Sequence, residues 1–218
     1  KNGIRSVAIA GYTNCGKSTL LNALTDAGVL SKDMVFATLD PTSRRLTLPN
    51  GHEVILTDTV GFIRRLPHPL IEAFKSTLEE VVLADLVLLV CDISDPDCIS
   101  QVSVSEELLQ EIGYRGDILH VFNKIDLAHA NPVLPDSVMI SAQERIGLDA
   151  LLRSIQERLF SHNEIVSLRI PYEQSSVYFS VRQKYLLLED SADDKGYRVK
   201  IEVNIDDLAP LNVYRENA

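Results

Sequence analysis

The sequence is poor in cysteine, in basic charge and in long apolar runs, and each shortage excludes something. Cysteine occurs only at Cys15, Cys91 and Cys98 in 218 residues. That is an odd, scattered set without metal-ligand spacing, and Cys91 lies inside an apolar run, so a reduced, cytosolic setting is expected. No apolar stretch approaches the ~20 residues of a membrane span, and no charged-then-apolar leader precedes a small-residue cleavage site. Lysine and arginine number 21 against 31 aspartates and glutamates, a formal net charge of −10. That balance disfavours broad attraction to nucleic acid or to an anionic membrane, leaving only local basic pairs for such contacts. The chain begins with Lys1 rather than Met and enters a strand pattern at Ser6, which reads as a piece whose upstream region is removed.

What is present is ample for a packed core: 45% of residues are hydrophobic. Apolar runs at Ser6–Ala10, Val54–Leu56, Leu86–Cys91, Ile118–Phe122 and Val138–Ile140 read as buried strands. Helical spacing at Lys17–Leu24, Leu70–Ala84, Val102–Glu111 and Leu148–Phe160 alternates with them. This alternation predicts an α/β fold with a mostly parallel sheet. Leu46–Leu48, a Pro49-Asn50-Gly51-His52 turn and Val54–Leu56 read as a hairpin, so one edge strand should be antiparallel. After His162 the rhythm changes to a strand at Ile165–Pro171, a helix at Val177–Leu188, a polar loop at Asp190–Gly196 and a strand at Tyr197–Val203. The expected division is a first domain over 1–162 and a small C-terminal α/β domain over 163–218.

Three motifs carry chemistry. Gly11-Tyr12-Thr13-Asn14-Cys15-Gly16-Lys17-Ser18-Thr19, between a strand and a helix, matches G-x-x-x-x-G-K-[ST]. Its glycines let backbone amides wrap phosphates, Lys17 neutralises β and γ oxygens, and Ser18 is a candidate Mg²⁺ ligand. Asp58-Thr59-Val60-Gly61 ends the Val54–Leu56 strand. There Asp58 suits the hydration shell of Mg²⁺, and the Gly61 N–H suits a γ-phosphate. Asn123-Lys124-Ile125-Asp126 ends the Ile118–Phe122 strand. The Asp126 carboxylate is placed to accept from N1–H and the exocyclic amine of guanine, a donor pair that adenine lacks, so the expected nucleotides are GTP and GDP. Ser141-Ala142, followed by Gln143, would offer a backbone amide near the guanine O6.

Between the first helix and the hairpin, the polar stretch Asp33–Ser43 has the length of a switch loop ordered by γ-phosphate and Mg²⁺. Thr38 is the leading candidate to complete Mg²⁺ coordination, with Thr42 second. Lys17, Thr38 and Gly61 are thus the candidate catalytic set, and Ser18, Thr38 and Asp58 the candidate metal set. Many GTPases carry Gln after the Asp-x-x-Gly glycine to orient the attacking water, but this chain has Phe62. Slow intrinsic hydrolysis is therefore expected, with room for a partner to add as much as about 10⁵-fold. Arg44, Arg45, Arg64 and Arg65 flank the switch segments as adjacent pairs, suited to RNA phosphate or to the γ-phosphate, though exposed arginines are more often simply solvated. His68 sits before Pro69 at the edge of the second switch helix, and the other histidines form no cluster.

The ordered series Gly11–Ser18, Thr38, Asp58–Gly61, Asn123–Asp126 and Ser141–Ala142 resembles the translation-factor class of P-loop GTPases. Within that class the P-loop, Phe36-Ala37-Thr38-Leu39-Asp40-Pro41-Thr42, and Asp58-Thr59-Val60-Gly61-Phe62-Ile63 followed by Leu66-Pro67-His68 look like HflX. The resemblance covers residues 5–161. It implies a P-loop G domain in which Phe36, Ala37, Leu39 and Asp40 also line the nucleotide site. It further implies a ribosome-associated GTPase that binds the large subunit and is stimulated by the ribosome or that subunit; a cytoplasmic monomer is the expectation. The parent protein would bind or split ribosomes through an additional N-terminal domain. Asn14 stands where related GTPases hold K⁺ against the phosphates; the alternative is an Asn that tolerates a tight turn. The competing functional reading is a GTP-dependent binding module in ribosome assembly or signalling, with incidental hydrolysis.

Overall fold

The chain's structure, a computed structural model, describes residues 4–27, 43–59, 80–128 and 134–216. They fall into two compact units, Ile4–Leu159 and the residues from Phe160 onward. In the first unit β1 (Arg5–Gly11), β2 (Ser43–Thr47), β3 (Glu53–Asp58), β4 (Leu86–Asp92), β5 (Asp117–Asn123) and β6 (Val138–Met139) form one sheet in the order β2-β3-β1-β4-β5-β6. Four of its five pairings are parallel, and only β2 against β3 is antiparallel. The central strands are covered on both faces, which is why β4 is a continuous apolar run buried from Leu86 to Cys91. Edge strand β2 instead exposes Arg44 and Arg45 and buries Leu46. Its hairpin closes through the Leu48 N–H to His52 O bond at 2.8 Å.

Three helices in this unit follow the expected spacing: α1 (Lys17–Ala27), α2 (Cys98–Glu111) and α3 (Leu148–Phe160). α2 begins one turn earlier than its apolar spacing suggests. Its N-cap is Asp97, and the turn ahead of it is held by Asp95, which accepts from the Asp97 N–H at 2.9 Å and from Gln101 Nε2 at 2.8 Å, polar contacts that apolar periodicity does not report. α2 then buries Cys98, Val102, Ser105 and Leu109 against a cluster with Val87, Leu89, Cys91 and Phe122. Of the helix expected over Leu70–Ala84, residues 80–83 are helical and the remainder lies outside the described residues.

The start of β4 is tied to β1 by one carboxylate. Asp85 Oδ2 accepts from the Ser6 N–H at 2.8 Å and the Ser6 hydroxyl at 3.0 Å, and Oδ1 accepts from Arg5 at 3.1 Å. Partial burial alone would raise its pKa, but the Ser6 and Arg5 bonds hold it below the usual carboxylate range. A depressed folded-state pKa stabilises the fold above the unfolded value near ~4, and that stability is lost as pH falls through the folded value. Asp85→Asn is therefore expected to cost about 1–2 kcal/mol at pH 7, with the gap to the parent protein closing below about pH 4, as read by denaturant melts across pH.

In the second unit β7 (Asn163–Ile170), α4 (Ser175–Lys184), β8 (Leu186–Asp193) and β9 (Gly196–Asn204) form an antiparallel sheet, ordered β7-β9-β8, with one helix. Val166, Leu168, Ile170, Tyr178, Val181, Val199, Ile201 and Val203 make its core. Two expectations fail here. The helix read over Val177–Leu188 stops at Lys184, and most of the polar loop read over Asp190–Gly196 is strand. Beyond its first two, half-buried residues, β8 is exposed to its end, so apolar alternation has nothing to report. The ladder to β9, with a bulge between Leu187 and Glu189, sets its conformation.

Candidate nucleotide site

β1, β3, β4 and β5 end side by side at Gly11, Asp58, Asp92 and Asn123, and these carboxyl ends carry the candidate site. From β1 the chain enters the loop that opens α1. Gly11 is indispensable there: at φ 144 a Cβ would sit 2.1 Å from Val90 O. Asn14 takes φ 64 and Gly16 φ 98, which curls the backbone into a concave turn of the kind whose N–H groups hold an anion at a helix start. Lys17, only 8% exposed, folds back over this turn and donates to Gly11 O at 3.1 Å and Tyr12 O at 2.9 Å. Both acceptors are neutral carbonyls, so neither of these bonds pairs the Lys17 side chain with a carboxylate. Cys15 is buried beside it, and burial raises its thiol pKa despite Lys17 and Lys124 nearby, so it stays protonated.

One residue into α1, the Ser18 hydroxyl donates to Asp58 Oδ2 at 2.6 Å, and Asp58 Oδ1 is buried with no hydrogen-bond partner. Asp58 is set by the β1–β3 register, opposite Ile9. Its neighbour Thr59 is anchored through its hydroxyl to Ile9 O at 2.7 Å, so that side chain serves the strand connection.

The β5 end faces the same loop. Asn123, 2% exposed, donates from Nδ2 to Cys15 O at 2.9 Å and accepts at Oδ1 from the Ala142 N–H at 2.9 Å. One amide thus fastens the P-loop to the Ser141-Ala142 segment. Lys124 follows at φ 64, donating to Asn14 O at 2.9 Å and to Asp92 Oδ2 at 2.6 Å. A single turn, Ile125–Leu127, then presents Asp126 exposed. Ile125 N–H donates to Ile140 O, Ser141 is fully buried, and Gln143 is exposed.

The structure therefore gathers Gly11, Tyr12, Thr13, Asn14, Cys15, Gly16, Lys17, Ser18 and Thr19 with Asp58, Asn123, Lys124, Ile125, Asp126, Ser141 and Ala142 at one edge of the sheet. Phe36, Ala37, Thr38, Leu39, Asp40, Val60, Gly61, Phe62, Arg64, Arg65 and His68 lie outside the described residues. Arg45 is engaged with Glu53 at 3.0 Å across the hairpin, and Arg44 donates to Ser43 O. Among the described residues no cluster of three His, Cys, Asp or Glu side chains is placed to hold a metal. No described helix is long and apolar enough to cross a membrane. Asp92 is the site residue that motif reasoning missed; its one signal is an aspartate directly after a buried strand, at the sheet's carboxyl edge.

The 50S ribosome-binding GTPase family model matches residues 6–124. HflX of Caldanaerobacter subterraneus is 52% identical over 205 residues, covering 93% of this chain and 48% of that protein. HflX of Lacrimispora saccharolytica is 45% identical over 217 residues, covering 97% and 51%. The chain thus spans about half the length of the curated relatives it matches. A GTP-binding protein from the archaeon Sulfolobus solfataricus, solved in complex with GDP, superposes with a TM-score of 0.58 at 30% identity, covering 72% of this chain and 53% of that one. Motif order, site geometry and these similarities converge: the chain belongs to the 50S ribosome-binding GTPase family and, within it, to the HflX GTPases.

Proposed function

We propose that this chain binds GTP and GDP with Mg²⁺ at the β1, β3 and β5 ends, hydrolyses GTP slowly, and is stimulated by the ribosome or its large subunit. The carrying observation is the Asn123 side chain, which joins the P-loop to the Ala142 amide and so makes phosphate and base sites one unit. In this reading residues 1–162 are the G domain and 163–218 a small C-terminal domain of a monomeric, cytoplasmic protein.

The donor chemistry fits Mg²⁺. The Ser18 hydroxyl and the Asp58 carboxylate are hard oxygens meeting at 2.6 Å, and Asp58 Oδ1 is a buried acceptor without a partner. Ser18 and Asp58 would hold the ion, with Thr38 joining from the first switch. When bound, Mg²⁺ neutralises β and γ oxygens. The chain's own groups do the rest. The loop amides and the start of α1 bind phosphate, Lys17 offsets the charge that builds on the γ oxygens, and the Gly61 N–H orients the γ-phosphate. Phe62 provides no hydrogen bond to a water, so alignment of the nucleophile is left to a partner.

Multiple-turnover hydrolysis with and without large subunits tests this reading. Stimulation by about 100-fold or more is expected, within the range an activating partner supplies. Persistent GTP binding with no stimulation would leave a GTP-dependent binding module instead. The same assay in K⁺ and in Na⁺ buffer decides between the two readings of Asn14: faster turnover in K⁺ supports a K⁺ site, and equal rates leave an Asn that serves a tight turn.

A further inference from the structure

Lys124 is a non-glycine residue held at φ 64, a left-handed conformation that strains a side-chain-bearing residue and persists only where surroundings enforce it. Main-chain bonds from the Leu127 N–H to Lys124 O and from the Ile125 N–H to Ile140 O close that turn, and the ammonium ties it to its neighbours. Nζ is pinned between Asn14 O at 2.9 Å and Asp92 Oδ2 at 2.6 Å. Asn14 is itself left-handed, at φ 64. Two strained positions, one on the phosphate loop and one on the base loop, are thus joined through a single ammonium whose counter-charge comes from β4.

Asp92 is built for that role. It faces Asn123 in the parallel β4–β5 register, one residue from Lys124. Its other oxygen, Oδ1, accepts from the Ser94 N–H at 3.0 Å and the Ser94 hydroxyl at 2.6 Å, which fixes the carboxylate plane. Burial opposes its ionisation, but the bonds to Lys124 and Ser94 hold its pKa below the ordinary value, so it is an anion at neutral pH.

We infer that Asp92 is a positioning residue for guanine recognition: its carboxylate holds Lys124 in the left-handed turn that aims Asp126, and couples that turn to the P-loop through Asn14. The inference rests on the guanine reading of the Asn123–Asp126 segment and extends it to a fourth strand end. It assigns to β4 a place in the nucleotide site that none of the recognised motifs includes.

The test is a double-mutant cycle read by affinity and dissociation rate for a fluorescent GDP analogue, with melting temperature followed in parallel. Asp92→Asn keeps shape and removes charge, and about 10-fold weaker GDP binding is expected, as for loss of one charge-assisted hydrogen bond. Lys124→Ala is expected to lose at least as much, and Asp92→Asn added to it should cost nothing further. A merely structural aspartate would show its loss undiminished beside Lys124→Ala, and that result overturns the inference, as does GDP binding by Asp92→Asn equal to the parent's. Ser94→Ala should stay within about 2-fold of the parent, since the Lys124 contact is retained; a 10-fold loss there would credit the Ser94 turn instead. Asp126→Asn separates the two readings. If it fails to exchange guanine for xanthine preference the base assignment falls, and if it succeeds while Asp92→Asn is silent only the present inference falls.

Discussion

Asp126→Asn is expected to lower affinity for GDP by about 10⁴-fold and to make the xanthine nucleotide the preferred ligand, because a site built on polar pairing strands its groups with the wrong partner. The carboxylate accepts from N1–H and the 2-amino group of guanine. An Asn in its place turns an NH₂ toward one of those donors and leaves both sides short of an acceptor. Xanthine carries a carbonyl oxygen at that position and satisfies the amide. The surroundings favour a clean result. Asp126 is exposed in a turn held by main-chain bonds, Leu127 N–H to Lys124 O at 2.9 Å and Ile125 N–H to Ile140 O at 3.2 Å. The substitution should therefore leave the fold intact, with melting temperature unchanged within a degree or two. An undiminished preference for GDP over XDP in the variant would show that Asp126 does not read the base.

Gly16→Ala is the second large effect, and it comes from one added methyl group. A Cβ at Gly16 would lie 2.3 Å from Asn123 Nδ2, and the residue stands at φ 98, where a side chain is strained regardless of space. Asn123 Nδ2 must then shift away from Cys15 O, which disturbs the amide that also accepts from the Ala142 N–H, both bonds being 2.9 Å. Asn123 is 2% exposed, so no water replaces those partners. Displacing that buried amide and straining the turn is expected to cost about 3 kcal/mol of stability. GDP affinity should fall by about 100-fold or more, since the phosphate and base loops lose their common anchor. Denaturant melts and fluorescent-GDP titration read the two effects separately. A variant that melts lower but binds GDP normally would show that the Asn123 link is structural only.

The sheet and the motifs were legible in the sequence because burial and phosphate chemistry restrict residue types strongly. Leu86–Cys91 is apolar throughout because both faces are covered, and Gly11 cannot carry a side chain beside Val90 O. The Ser18–Asp58 pairing likewise follows from two spaced motifs. What stayed hidden depends on neighbours distant along the chain. Asp92 meets Lys124 across 32 positions only because β4 and β5 lie in register. β8 was misread because its residues from Leu188 onward face solvent, and its conformation is dictated by β9 rather than by its own composition. The first turn of α2 lies beside the polar contacts of Asp95 with the Asp97 N–H and Gln101, which apolar spacing does not report.

Guanine recognition rests on Asp126, three residues past Asn123, whose side chain ties the end of β5 to Cys15 O of the phosphate loop. Displacement of a fluorescent GDP analogue by unlabelled GTP and by ATP, in Mg²⁺ buffer, tests it most directly. GTP should displace the probe at concentrations at least about 10³-fold below those needed for ATP. Displacement by both nucleotides at similar concentrations would contradict it.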